Sequence, residues 1–421
     1  MRLDRFDLPA STASADALAA YDAGVAALLT AAPDPEAQLL QAVAIDPGFA
    51  LAHAGLARCH QVQARVPEAR DAIAQAIALA RDGTPREQGH VAVLSLAING
   101  KGAAALDRLK AHLGDFPRDA VPLSAALGVY GLIGFSGRVD HHAEQRALLE
   151  WLQPRWPEHG WFLGYLGWSE VETGAAARGS DRVDRALALL PANANAAHAR
   201  AHGYFELGQA TEGAAFVADW LQRHYRPQGI LHGHLHWHCA LGERAGGDTG
   251  AALARYGASI EHSSAPAMPR LADGASFLWR CLLGDEVEAP RWQAMAELTA
   301  RAFAQSGLAF ADLHAAMVEA ATGCTAALER RIEALDRRVA ENALPAGKVV
   351  PTLCRALAAY SAKDWNRAID LLEAALPDLP RVGGSNAQRD VFLDTLAAAC
   401  RHAGQPERAR ALLSARPYMK L

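Results

Sequence analysis

Lysine is scarce in this chain: of 41 basic residues only five are lysine, at positions 101, 110, 348, 363 and 420. With a formal net charge of -5, the chain has no basic field for nucleic acid or anionic membranes, and neither is expected as a partner. Cysteine is equally thin. Cys59, Cys239, Cys281, Cys324, Cys354 and Cys400 are scattered, with no C-x-x-C pair, which excludes a disulfide framework and a thiolate metal knuckle and fits a reducing, cytoplasmic setting. Aromatic residues make up 7% and β-branched residues are few, so strands are disfavoured. No apolar run is long enough to cross a membrane, and the opening Met1-Arg2-Leu3-Asp4-Arg5-Phe6-Asp7 lacks the apolar segment of a secretory leader.

What remains is alanine and leucine in a chain that is 51% hydrophobic, the composition of close-packed helices. Two stretches spell a helical hairpin. In the first, Leu51 to Ala80, small residues at Ala54, Gly55 and Ala69 allow close approach, a turn falls near Arg65-Val66-Pro67, and Ile73 and Ala76 continue the apolar stripe. The second pairs Val391–His402 with Glu407–Ala415 across Gly404-Gln405-Pro406 and stops at Pro417. Between them Gly83-Thr84-Pro85, Phe116-Pro117, Trp156-Pro157, Leu190-Pro191, Arg226-Pro227, Ala289-Pro290 and Leu344-Pro345 punctuate helical periods. The spacing predicts an all-α, right-handed solenoid of about ten tetratricopeptide-like hairpins. It would be one continuous array over 1–421: a cap helix in 1–30, degenerate hairpins over 31–380, and a C-terminal hairpin over 381–421.

Ionisable residues recur at the repeat period on what reads as the first helix of each hairpin. They are His53, His90, Glu172, His198, His202, Glu206, His232, His236, Asp273, Asp312, His314, Arg389 and Asp390. The steps from His53 to His90, His202 to His236 and His236 to Asp273 are 37, 34 and 37 residues. First helices line the concave side of such arrays, so these groups are expected to converge on one channel. His198, His202 and Glu206 share one helical stripe, and His232 with His236 repeats the spacing one hairpin later, leaving His234 and His238 pointing away. Two imidazoles one turn apart can share a divalent ion, which makes His198, His202, His232 and His236 a possible metal set. With no H-E-x-x-H and no nearby cysteine, a hydrogen-bonded acid–base cluster without metal or other cofactor is the leading expectation.

Gly383-Gly384-Ser385-Asn386-Ala387-Gln388-Arg389-Asp390 opens a helix whose free N–H groups can hold an anion or a carbonyl oxygen, with Ser385 or Asn386 as cap. It is no nucleophile elbow, because Ala387 stands where that turn needs glycine. This string continues into Val391-Phe392. With Arg86-Glu87-Gln88-Gly89-His90-Val91, His198-x-x-x-His202, His232-x-x-x-His236-Trp237 and Phe310-x-Asp312-x-His314, it resembles the tetratricopeptide repeat protein 38 family over nearly the whole chain. The resemblance implies a helical-repeat fold with a shared polar channel and carries no activity.

These residues lead to the expectation of a solenoid that binds a small polar or anionic molecule and acts on it by acid–base chemistry. His202, His236, Asp312, His314 and Asp390 are the candidate acids and bases. His53, His90, Glu172, His198, Glu206, His232, Trp237, Asp273, Ser385, Asn386, Gln388 and Arg389 are the candidate ligand contacts. The alternative is a non-catalytic scaffold for a protein or peptide.

Overall fold

The computed structural model describes residues 2–286 and 289–414, and within them the chain is a succession of helices. Ten hairpins are regular. They are Ala15–Leu29 with Pro35–Ile45, Ala50–Val62 with Val66–Ala80, Pro85–Ile98 with Gly102–Asp115, Gly160–Glu172 with Ala176–Leu189, and Ala194–Glu206 with Ala210–His224. There follow His232–Ala245 with Thr249–Arg255, Ala267–Leu283 with Gln293–Ala302, Ala309–Ala321 with Thr325–Ala340, Val349–Ser361 with Trp365–Ala375, and Asn386–His402 with Pro406–Ser414. Each helix packs on the next, which is the solenoid the punctuation predicts. No helix of the described residues is long and apolar enough to cross a membrane.

Close approach within hairpins is set by small residues. A Cβ on Gly167 would sit 2.8 Å from the Gly179 carbonyl, so these two helices meet backbone to backbone. The last hairpin starts earlier than the apolar pattern suggests, at Asn386 instead of Val391. There Ser385 and Gln388 form a capping box, each satisfying the other's free N–H group. The stop expected at Pro417 lies outside the described residues.

Two segments depart from the repeat. The cap helix begins only at Ala15, because Arg2–Leu3 pairs with Pro9–Ala10 as a short antiparallel ladder. The Asp4 carboxylate accepts from the N–H groups of Phe6 and Leu8 and fixes that turn. The fourth unit has only a five-residue first helix, Ala120–Ser124, before an irregular stretch that runs to His141–Leu152. Gly128, Gly131, Gly134 and Gly137 recur there every third residue. Gly137 has a left-handed φ of 73° and sits where a Cβ would meet the Pro345 carbonyl at 2.3 Å.

The array folds back on itself. Asn195 Nδ2 donates to the Leu29 carbonyl at 2.8 Å, and Tyr225 Oη donates to that of Ala31, which seats the first hairpin against the middle. At the other end Arg381 donates to the Gly137 carbonyl at 3.0 Å, and the Asn386 N–H reaches Glu172 Oε2 at 2.8 Å across 214 residues. The inward faces of the first helices therefore meet one another instead of lining an open groove.

Candidate functional site

At the centre of this closed winding four imidazoles converge. His198 and His202 come from helix Ala194–Glu206, His234 and His238 from helix His232–Ala245. One ring nitrogen from each lies within 4.8 Å of all the others. His198 Nε2 is 2.9 Å from both His202 Nε2 and His234 Nε2, and the buried His238 Nε2 has no hydrogen-bond partner. The rings meet edge to face, with the His202 and His238 centroids 4.7 Å apart.

Carboxylates stand behind two of the rings. His234 Nδ1 is 2.8 Å from Asp273 Oδ1. His202 Nδ1 is 2.9 Å from Glu172 Oε1, a charge contact away from good hydrogen-bond alignment. Burial alone would raise Glu172, but the facing His202, with His142 and Arg389, holds it at about 2. Burial pushes His198 and His238 well below their ordinary value, and neighbouring imidazoles push the same way, so both rings stay neutral with a free lone pair.

Glu172 is held in turn by the C-terminal hairpin. Beyond the Asn386 N–H, Asn386 Nδ2 donates to the Glu172 carbonyl, and Arg389 clasps the Gly384 carbonyl, Asn386 Oδ1 and His142 Nε2. Burial, Arg389 and the adjacent imidazoles outweigh the Glu172 charge and draw His142 down to about 3, so it accepts from Arg389 as a neutral ring. Ser385 and Gln388 are the cap that aims this helix N-terminus at Glu172.

Beside the imidazoles lies a cavity of about 370 Å³, walled by Trp161, Tyr165, Trp168, Tyr130 and Phe135, with His198 and His234 in its lining. Tyr130 and Phe135 come from the irregular glycine-rich stretch. Arg58 also lines it, and its guanidinium donates only to neutral acceptors: Gln61 Oε1, the Ser124 carbonyl and Ser124 Oγ. Among the described residues no carboxylate pairs with Arg58, and burial pulls it down to about 10.

Several expected residues lie elsewhere, and one pair is corrected. His232 and His236 do not face His198 and His202; they meet each other edge to face at 4.6 Å, half-buried, with His236 Nδ1 2.9 Å from Arg255. The hairpin step between facing imidazoles is 36 residues, not 34, which brings in His234 and His238 in their place. Trp237 is buried and stacks on His234 at 5.2 Å. His53 is bonded to the Pro47 carbonyl, and His90 is buried against Asp119. Asp312 accepts from Arg331 and from the N–H groups of Gly307 and Leu308, so it ties a helix start, and His314 Nδ1 donates to the Phe310 carbonyl. Glu206 is half-buried at the end of its helix, and Asp390 is buried one turn before Asp394 along the helix that carries Arg389. Of the residues that sequence reasoning missed, His142, Arg58, Tyr130 and Phe135 carry no motif, though the glycine spacing around the last two was readable.

No family model matches the chain. Among solved structures it is similar to yeast Tom70, at 14% identity over 95% of this chain and 91% of that one, with a TM-score of 0.34. It is also similar to human IFIT1, at 12% identity over 88% of this chain and 68% of that one, TM-score 0.34. A third likeness is the TPR domain of P58(IPK), at 16% identity over 95% and 99%, TM-score 0.21. At these scores the likeness adds nothing to what the helices themselves display.

Proposed function

We infer that this protein binds a small organic anion inside its solenoid, with the anionic group on Arg58 and an apolar body against Trp161, Tyr165 and Phe135. The observation that carries this reading is the Arg58 guanidinium, which faces an aromatic cavity with neutral partners only. A half-buried cation without a counter-ion is held at a cost, and a ligand carboxylate or phosphate relieves that cost through charge-assisted hydrogen bonds. His198 and His234 give the cavity a second polar end, so a ligand would be oriented as well as held. A peptide scaffold is less favoured, because the contacts of Glu172 with Asn386 and of Arg280 with Asp394 occupy the inner faces a peptide would need.

The test compares 1-naphthoate with its neutral isostere 1-naphthamide by calorimetric titration. Wild type should bind the carboxylate about 10- to 100-fold more tightly, the size of a charged hydrogen bond. Arg58→Gln should abolish that preference while leaving amide binding in place. Equal affinity for the two probes, or a preference that survives Arg58→Gln, would overturn the reading.

A further inference from the structure

We propose that His198, His202, His234 and His238 hold a divalent d-block ion of the zinc type at the centre of the solenoid. A ring nitrogen offers either one proton or one lone pair. His202 Nδ1 faces Glu172 Oε1 at 2.9 Å and His234 Nδ1 faces Asp273 Oδ1 at 2.8 Å, and a ring that turns its Nδ1 proton to a carboxylate keeps Nε2 as a bare lone pair. His198 Nε2 lies 2.9 Å from both Nε2 atoms and can donate to only one of them. His238 brings a fourth ring nitrogen to the same space, and its buried Nε2 has no partner. Four nitrogens that cannot satisfy one another are satisfied together by one cation.

The dimensions fit with little movement. Tetrahedral zinc–imidazole bonds of about 2.0–2.1 Å place ligand nitrogens about 3.4 Å apart. The observed nitrogens, two pairs at 2.9 Å and the whole set within 4.8 Å, bracket that spacing. Both pairs are i, i+4 on one helix, and the two helices belong to adjacent hairpins, so no backbone change is needed. Donor chemistry selects the metal class. Four imidazoles without thiolate or carboxylate suit zinc, copper, nickel, cobalt or iron, and disfavour magnesium and calcium, which demand oxygen.

Charge and the surrounding groups agree. Four neutral imidazoles leave a divalent ion uncompensated, and Glu172 and Asp273 behind two of them supply two negative charges. This is the carboxylate–histidine–metal arrangement that fixes the tautomer and raises ligand basicity. It also gives the glycine-rich motif a task. Ser385 and Gln388 cap the helix whose first N–H, on Asn386, holds Glu172 in place, so the motif acts through Glu172 as a positioning group.

The proposal does not depend on ligand binding at Arg58, and its test is made on ligand-free protein. The full chain is dialysed against Zn2+ or Co2+, freed of excess ion, and assayed for metal by mass spectrometry. One ion per chain is expected, with a Co2+ spectrum of tetrahedral intensity and an absorption edge fitted by nitrogen scatterers with imidazole outer shells. His202→Asn and His238→Asn should each lose the ion while helical circular dichroism persists. Glu172→Gln should keep the ion with about 10- to 100-fold weaker affinity. Substoichiometric metal in wild type, an outer shell lacking imidazole, or full occupancy in His238→Asn would overturn the proposal. The absorption measurement needs only wild type, so a variant that fails to fold leaves the test intact.

Discussion

Two buried polar clusters lie inside this protein, and they are built on opposite principles. In the N-terminal one, Arg86 lies between Asp4, at 2.5 Å, and Asp119, at 3.2 Å. Asp119 also faces His90 Nδ1 at 3.1 Å and His112 Nε2 at 2.9 Å. Every charge there has an opposite charge within reach, and the result ties the first residues to the third hairpin. In the central cluster four imidazoles face one another, and the carboxylates lie behind them. In the first cluster each carboxylate stands between cationic or imidazole groups; in the second four imidazole nitrogens lie within 4.8 Å of one another with no carboxylate among them. Where the carboxylates stand separates a tie from a site where counting histidines does not.

The sharpest way to break this comparison is Arg86→Leu. It strands two buried carboxylates and should cost about 3–5 kcal/mol, read from urea denaturation. The pH dependence should localise the same energy. Burial alone would raise Asp119, but Arg86 and then the two imidazoles hold it well below the usual carboxylate range. The folded state therefore prefers the ionised form. Its contribution is complete above the unfolded value of about 4 and is lost as the pH falls below it. A loss under about 1 kcal/mol for Arg86→Leu would put this network among weak surface pairs instead.

A smaller effect belongs to His314, a buried imidazole outside both clusters. Burial is the main cause that lowers it, to about 4, with the Phe310 carbonyl opposing and Arg280 reinforcing. Here the unfolded chain takes up the proton first. Stability should be complete above about 6.5 and decline by about 3 kcal/mol as the pH falls toward 4. His314→Leu should reduce the slope of that part of the stability–pH curve by one proton's share, the other buried imidazoles keeping theirs, and leave the acid limb below it, where Asp119 acts. An unchanged slope between those values would show that the imidazole is not kept neutral by burial.

The helical array was legible because punctuation and small-residue spacing are local and repeat. Hairpin boundaries such as Ala50–Val62 with Val66–Ala80 fall where proline and the apolar stripe put them. The N-terminal ladder was not legible, since what fixes it is the long-range contact of Asp4 with Arg86. Nor was the partnership of Glu172 with Asn386, which depends on how far the solenoid winds before its end meets its middle. The three-residue glycine rhythm over 128–137 was in plain view as a helix breaker. Its consequence, a stretch that walls a cavity, needed the fold.

The central imidazoles show where one-dimensional reading fails most narrowly. His232-x-x-x-His236 and His234-x-x-x-His238 have the same spacing on the same helix, and two residues rotate a side chain by about 200° around the helix axis. A repeat step of 34 residues selects the first pair and a step of 36 the second. The winding chooses 36, because His198 Nε2 and His234 Nε2 meet across adjacent hairpins at 2.9 Å. His236→Ala should therefore do little. Its ring is half-buried, its contacts are His232 and an Arg255 that also pairs with Glu243, and truncation should cost within about 1 kcal/mol. The same variant should bind metal ion as wild type does, whereas His238→Asn should not. Loss of the ion from His236→Ala, with thermal melting otherwise unchanged, would exchange the roles of the two pairs and return the site to the 34-residue register.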